Sequence, residues 1–150
     1  MPNSNGSPLG HDWDPEKFID YLAAGWHLGD PDAFIEHFYP VLHPQVVSEQ
    51  PLAPRRIGAA ALEDQFRQIF KLLPGCTATI EAWGAGEPNV YVDFELQTPR
   101  DRHPLRLRTR DRFTVVDGLI TERSVCFDPT LLLLYLIRHP SQWRATLASR

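Results

Sequence analysis

The sequence predicts a single-domain α+β protein, because its helical and strand patterns are segregated along the chain. Apolar residues recur at helical spacing as far as Leu73, and from Thr77 to Asp128 they alternate with polar residues instead. The strongest local signal is the pair Asp117-Gly118, which lies between β-branched residues and indicates a tight β-hairpin. Helices followed by an antiparallel meander are typical of the α+β class.

Composition sets limits on the partners of the chain. Of its 150 residues, 43% are hydrophobic and 23% are charged, which is ordinary for one globular domain. We assign this domain to residues 13–150 and expect residues 1–12, which are small and polar, to form a disordered tail. A net charge of -4 gives no reason to expect nucleic acid. Without a signal peptide or a long apolar run, we predict no membrane span and a cytoplasmic location.

The helices are predicted from their start signals. Asp14-Pro15 and Asp30-Pro31 each place an N-cap acid before a proline at the first helical position. Gly58 opens a third helix, which Pro74-Gly75 closes, and Asp128-Pro129 opens a fourth that runs to Arg138. A last short helix is expected from Ser141.

The strands are predicted from their alternation and from the turns between them. A short strand at Val46–Gln50 precedes a proline-rich link. The meander is then expected over residues 77–83, 90–97, 105–116 and 119–128, with loops at 84–89 and 99–104.

The strand over residues 105–116 carries the main candidate for chemistry. Its leucines, Thr109, Asp111 and Phe113 fall on one face, and Arg106, Arg108, Arg110 and Arg112 fall on the other. If the apolar face lies in the core, Asp111 is buried with it. A buried ionised carboxylate is costly unless it is paired or protonated, so we expect the pKa of Asp111 to be raised.

The arginine face has two interpretations. Asp93 and Glu95 lie on the polar face of the preceding strand, so they can form cross-strand ion pairs with these arginines. Alternatively, the face is a dimer interface, where arginine is a favoured residue. The two cysteines, Cys76 and Cys126, have no metal-ligand spacing and are interpreted as reduced and buried.

Two short helices, a strand with a proline turn, a third helix, and strands ending in VVDGLITERSVCFD together resemble the nuclear transport factor 2-like superfamily over about residues 14–138. This superfamily includes SnoaL-like polyketide cyclases, ketosteroid isomerases and limonene-epoxide hydrolases. The resemblance implies a cone-shaped (cystatin-like) fold, in which three N-terminal helices pack on the concave face of a curved antiparallel sheet. It also implies a homodimer through the outer face of the sheet and an apolar cone that binds a small hydrophobic molecule.

The resemblance places candidate site residues. Asp111-Arg112-Phe113 matches the oxyanion segment of the isomerases, and Gln50 stands where their general base precedes a proline. The epoxide hydrolases use two aspartates bridged by an arginine. Asp111 and Asp128 match the aspartates as candidate catalytic residues, and Thr109 holds the arginine position. The candidate ligand-binding residues are Tyr21, Trp26, Phe38, Gln50, Phe66, Phe94, Thr109 and Phe113.

Two classes of function remain open. One is an enzyme with acid–base chemistry, such as an isomerisation, an aldol-type cyclisation or an epoxide opening. The other is a non-catalytic member that binds a ligand or a partner protein, since fold does not determine function. Structural interpretations also exist for the two acids: Asp128 as a helix N-cap, and Asp111 as part of a hydrogen-bonded core network. We predict no metal and no cofactor, because the histidines lack ligand spacing.

Overall fold

The structure, a computed structural model, describes residues 6–99, 103–142 and 144. Two helices open the fold, α1 (Pro15–Trp26) and α2 (Pro31–Phe38), and a 3₁₀ turn (Tyr39–Val41) leads into the first strand. The later elements are β1 (Leu42–Glu49), β2 (Arg56–Ile57), α3 (Ala59–Leu72), β3 (Thr77–Gly86), β4 (Asn89–Gln97), β5 (Arg106–Val116), β6 (Leu119–Phe127) and α4 (Pro129–Arg138).

The six strands form one curved sheet in the order β2-β1-β6-β5-β4-β3. The predicted antiparallel meander is confirmed in β3 to β6. The structure adds one parallel pair, β1 with β6, because the chain passes through β2 and α3 before the meander brings its last strand beside β1. Only α1, α2 and the 3₁₀ turn precede the sheet, and α3 lies between β2 and β3. The α+β class is therefore confirmed, with a different count of N-terminal helices.

Three of the predicted helix starts are built as the sequence indicates. The side chains of Asp14, Asp30 and Asp128 each accept a hydrogen bond from a backbone N–H in the first helical turn, at 3.1, 2.9 and 2.9 Å. Each cap precedes a proline, whose missing N–H costs nothing at that position. Residues 140–142 are helical, and most of the short helix expected from Ser141 lies outside the described residues, as does the centre of the loop at 99–104.

The β5–β6 hairpin turns at Asp117-Gly118, as predicted, and both residues have positive φ. Part of the expected N-terminal tail is packed against this turn: the Ser7 hydroxyl donates to the Gly118 carbonyl, and Leu9 is 6% exposed. A side chain at Gly118 would collide with the backbone of Gly10, so this contact requires glycine. Residues 6–12 thus differ from the expected tail because Leu9 enters the core, and residues 1–5 lie outside the described part.

The two faces of the sheet have opposite character. The outer face carries the β5 arginines, and the predicted cross-strand pairs form: Arg110 with Asp93 at 2.9 Å and Arg106 with Glu95 at 2.6 Å. Cys126 is exposed, which corrects the expectation that both cysteines are buried; Cys76 is buried. Cys126 faces outward because it pairs with Arg110 across the hairpin.

The inner face packs against α1, α2 and α3. Phe34, which is fully buried, lies at the centre of an aromatic cluster. Its ring contacts those of Trp26, Phe38, Phe66 and Phe70 at centroid distances of 4.6–5.2 Å. Within the described ranges, no helix is long and apolar enough to cross a membrane. The aromatic cluster closes one part of the inner face and leaves a cavity beside it.

Candidate functional site

Asp111 lies where the alternation of β5 places it, on the inner face of the sheet and 2% exposed. It lines a cavity of about 160 Å³ between the sheet, α3, α4 and the proline-rich link. An apolar cavity of similar size accommodates a benzene ring. Leu52, in the link, also lines the cavity and is 61% exposed, so the cavity reaches the protein surface there.

The cavity wall is mainly apolar. Aliphatic and aromatic side chains come from α1, the end of α3, α4 and four strands of the sheet: Trp26, Ile69, Leu72, Leu73, Ala78, Phe94, Leu96, Leu107, Val125, Phe127 and Leu132. Asp111 and Arg123 carry the charges among the residues that line it. Such a wall favours a hydrophobic ligand. The few polar groups in it can then fix the orientation of that ligand.

Arg123, on β6, is the charged partner of Asp111. Its side chain is 7% exposed, and its Nε lies 3.9 Å from Asp111 Oδ2, which is an ion pair without a direct hydrogen bond. Burial raises the pKa of Asp111 to about 6, and the Arg123 guanidinium and the Thr109 hydroxyl limit this rise. The predicted upward direction is thus confirmed. Burial also lowers the pKa of Arg123, and a guanidinium remains protonated in spite of it.

Arg123 extends this pair into a buried polar network. Its Nη1 donates to the Ser48 hydroxyl at 3.2 Å and to Gln50 Oε1 at 3.3 Å. The Ser48 hydroxyl in turn donates to Gln65 Oε1 at 2.9 Å. In the described part of the chain, five polar or charged residues are buried, and four of them, namely Ser48, Gln65, Asp111 and Arg123, belong to this network. The guanidinium also lies 5.7 Å from the centre of the Phe66 ring.

The structure brings five of the ten predicted site residues to the cavity: Trp26, Gln50, Phe94, Thr109 and Asp111. Three others, Phe38, Phe66 and Phe113, surround a second, much smaller space of about 20 Å³ beside the aromatic cluster. These three side chains pack next to the cavity and do not line it.

The remaining two predicted residues lie elsewhere. The Tyr21 hydroxyl donates to the backbone carbonyl of His37, and the two rings stack, so Tyr21 joins α1 to α2. Asp128 is exposed and bonds to the Thr130 N–H, so it serves as the N-cap of α4. The structure therefore does not place Asp128 beside Asp111 in the cavity. It ends up outside because β6 finishes at Phe127, one residue before it.

Sequence reasoning missed Arg123, Ser48 and Gln65. Two of them carried a local signal: Arg123 falls at the same strand spacing as Val125 and Phe127, and Gln65 falls on the apolar stripe of α3 beside Phe66. The β6 signal is obscured because a bulge between its Ile120 and Glu122 pairings changes the phase of the alternation.

No group of three metal-ligating side chains occurs within the described ranges. The polar groups at the cavity are amides, a hydroxyl, one carboxyl and one guanidinium. These groups suit a neutral organic ligand more than a metal ion, which prefers several carboxylate, imidazole or thiolate ligands.

Solved structures share this fold. A protein described as a SnoaL-like polyketide cyclase from Jannaschia sp. CCS1 superposes with a TM-score of 0.68 and 15% identity, over 87% of this chain and 95% of that one. TerC, co-crystallised with polyporic acid, gives 0.67 and 20%, over 79% and 96%. SalBIII, an epoxide hydrolase/cyclase-like enzyme with a role in pyran ring formation in salinomycin, gives 0.62 and 23%, over 78% and 95%.

At these identities the structural likeness shows the fold, which further NTF2-like and ketosteroid-isomerase-like structures share. Sequence comparison finds no match among curated proteins. The family model of the SnoaL-like domain matches residues 18–123, from the first turn of α1 to Arg123 itself. This match covers more than half of the chain, and it agrees with the curved sheet and its helical cover. The chain therefore belongs to the SnoaL-like domain family.

Proposed function

We propose that this protein binds a compact hydrophobic molecule in the central cavity and acts on it by acid–base chemistry through Asp111. The observation that carries the proposal is a buried carboxyl group in an apolar cavity, one oxygen of which, Oδ1, has no hydrogen-bond partner among the described residues. Buried polar atoms are usually hydrogen-bonded, so an atom that the protein leaves unpaired inside a cavity is available to a bound ligand.

The surroundings of Asp111 suit proton transfer near neutral pH. With its pKa raised to about 6, the carboxyl can take a proton as a general base and return it as a general acid. Arg123 stabilises the ionised form and does not itself exchange protons. The apolar wall limits competition from water, which strengthens each polar interaction with the reacting atoms.

The presence of a single carboxyl group at the cavity limits the types of reaction that the site can perform. Asp111 is the one acid that lines the cavity within the described residues, and Gln50 cannot accept a proton. The same group then has to remove a proton from one atom of the substrate and deliver it to another. Isomerisation, aldol-type cyclisation and epoxide opening by an internal hydroxyl all satisfy this condition. The similarity to SalBIII, an epoxide hydrolase/cyclase-like enzyme, supports the last of these.

A second candidate function is non-catalytic ligand binding or interaction with a partner protein. The observation that favours it is that Arg123 is hydrogen-bonded to groups of the protein itself. Its Nη1 donates to Ser48 and Gln50. In this case Asp111 balances the buried guanidinium and only orients the ligand.

Three variants separate these functions. Asp111→Leu removes the titrating group and both hydrogen-bonding atoms, whereas Asp111→Asn keeps the shape and a donor. Asp128→Asn is the matched control, because asparagine also caps helices and Asp128 lies outside the cavity. The measurement is turnover of small hydrophobic epoxides and enolisable ketones by mass spectrometry, alongside ligand-induced shifts in the melting temperature.

For an enzyme we expect no turnover with Asp111→Leu, partial turnover with Asp111→Asn and full turnover with Asp128→Asn. Ligand binding without turnover in the wild type would favour the binding function. Unchanged turnover in Asp111→Leu would contradict the catalytic role of Asp111.

We also propose that the protein is a homodimer through the outer face of its sheet and that it is cytoplasmic. The dimer proposal is supported by the β5 arginines, three of which have side chains that are 72–81% exposed on the charged outer face. Sedimentation at micromolar concentration should give twice the monomer mass of 17.1 kDa. A monomer at that concentration contradicts the dimer.

A further inference from the structure

A second polar atom in the cavity lacks a partner. Gln65, on α3, is 2% exposed and lines the same cavity as Asp111. Its amide nitrogen Nε2 has no hydrogen-bond partner among the described residues, and neither has Asp111 Oδ1. One buried donor and one buried acceptor are therefore available to the same small ligand.

The orientation of the Gln65 amide follows from the network that holds it. A guanidinium can only donate, so Arg123 uses a lone pair of the Ser48 hydroxyl. The Ser48 hydroxyl keeps its own proton to donate, and the atom that accepts it is Gln65 Oε1. The relay from Arg123 through Ser48 thus leaves the amide N–H groups of Gln65 unused by the protein.

We propose that Gln65 and Asp111 select the ligand by a hydroxyl group, as in an alcohol, phenol or enol, that accepts from the Gln65 amide and donates to the Asp111 carboxylate. This inference rests on the proposed function, in which a compact hydrophobic molecule occupies the cavity. It adds Gln65 as a specificity-determining residue whose orientation the Arg123–Ser48 relay maintains.

Other oxygen and nitrogen groups fit less well. A ketone or ether accepts from Gln65 and offers nothing to an ionised Asp111. A carboxylate is repelled by Asp111, and an ammonium group is disfavoured beside the Arg123 guanidinium and the Gln65 donor. A hydroxyl group carries a donor and an acceptor on one neutral atom, so its hydrogen-bonding capacity complements both protein atoms.

The wild-type protein allows a test without mutation. The probes are p-cresol, p-xylene and 4-methylanisole, which share an aromatic ring and differ in one substituent. Dissociation constants are measured by NMR titration at pH 8, where Asp111 is ionised. An apolar cavity without the two polar groups prefers p-xylene, because the hydroxyl loses its hydration. We expect instead that p-cresol binds about tenfold more tightly than either of the other probes.

Two glutamine variants on α3 test whether the preference for p-cresol comes from the Gln65 amide. Gln65→Met removes the amide at similar volume and is expected to abolish the preference for p-cresol. Gln68→Met is the matched control, since Gln68 lines the same cavity from the same helix but is only partly buried. We expect Gln68→Met to keep the preference.

The outcomes separate this inference from the proposed function. Binding of all three probes without preference for p-cresol overturns the hydroxyl selection and leaves the hydrophobic cavity intact. Retention of the preference in folded Gln65→Met overturns the role of Gln65. If Gln65→Met does not fold, the wild-type comparison still decides the hydroxyl selection. Binding of none of the probes overturns the proposed function itself.

Discussion

The two faces of the sheet use the same pair of chemical groups under opposite conditions. On the outer face, Arg106 and Glu95 approach to 2.6 Å, and the arginine side chain is 72% exposed. On the inner face, Arg123 and Asp111 lie 3.9 Å apart, with side chains 7% and 3% exposed. The outer pair has the shorter contact but the weaker electrostatic effect, because water screens its exposed charges. Water is excluded from the charges of the inner pair, so these interact with less screening.

This difference shows that burial, more than distance, decides what an ion pair does. An exposed pair contributes about 0–1 kcal/mol, because the gain in attraction is offset by side-chain ordering. A buried pair is costly to assemble and also costly to break, since either partner alone is an uncompensated charge. The inner pair therefore limits the rise in the pKa of Asp111 at the cavity, whereas the outer pairs of a single subunit mainly keep an exposed face hydrated.

The largest expected effect comes from removing the buried cation. Arg123→Met leaves Asp111 without its charged partner, and we expect a loss of about 3–5 kcal/mol in the free energy of unfolding at pH 8. Arg112→Met is the matched control, because Arg112 pairs with Glu122 at 2.6 Å on the outer face. Its loss is expected to stay below about 1 kcal/mol. Both values follow from urea unfolding.

A double variant sharpens this result. Asp111→Leu together with Arg123→Met removes both buried charges, so we expect it to recover most of the stability that Arg123→Met loses. A double variant as unstable as the single one would show that the loss comes from packing around Phe66 and not from the charge of Asp111.

A smaller effect is expected from pH. The folded pKa of Asp111 is about 6, against 3.8 for the free side chain, so the folded protein binds this proton more strongly. The contribution of Asp111 to the free energy of unfolding is therefore largest below pH 4 and falls as the pH rises to 6. It levels off above about pH 7, after a loss of about 2–3 kcal/mol.

In Asp111→Asn we expect this decrease of the unfolding free energy with rising pH to disappear. In Asp128→Asn we expect it to remain, since Asp128 is an exposed cap. The difference in unfolding free energy between wild type and each variant, measured from pH 4 to 8, isolates the contribution. Parallel pH profiles for wild type and Asp111→Asn would mean that burial does not raise the pKa of this carboxyl.

The smallest effect is expected on the outer face. A double-mutant cycle with Arg110→Ala and Asp93→Ala, measured on the monomer at a concentration too low for dimerisation, should give a coupling energy below about 1 kcal/mol that declines further in high salt. A larger coupling that is insensitive to salt in the monomer would contradict the exposed character of this face, whereas the same result at concentrations where the proposed dimer forms would support coverage by a second subunit.

Local patterns were enough to predict much of the fold. The helix starts at Asp14, Asp30 and Asp128 depend on bonds that span two or three residues, and the hairpin depends on Asp117-Gly118. Strand alternation alone places Asp111 on the buried face of β5, since successive side chains point to opposite sides. These features are determined by neighbours in the sequence, so the sequence by itself specifies them.

The composition of the site was decided by the tertiary structure. Arg123 meets Asp111 because the β5–β6 register and the bulge in β6 bring it to the inner face. Ser48 meets Arg123 across 75 residues because β1 runs parallel to β6, and Gln65 joins them from α3. Asp128, which the sequence offers as a second catalytic acid, is instead left outside by the end of β6. Such contacts depend on register and strand order, which arise only when distant segments pack together.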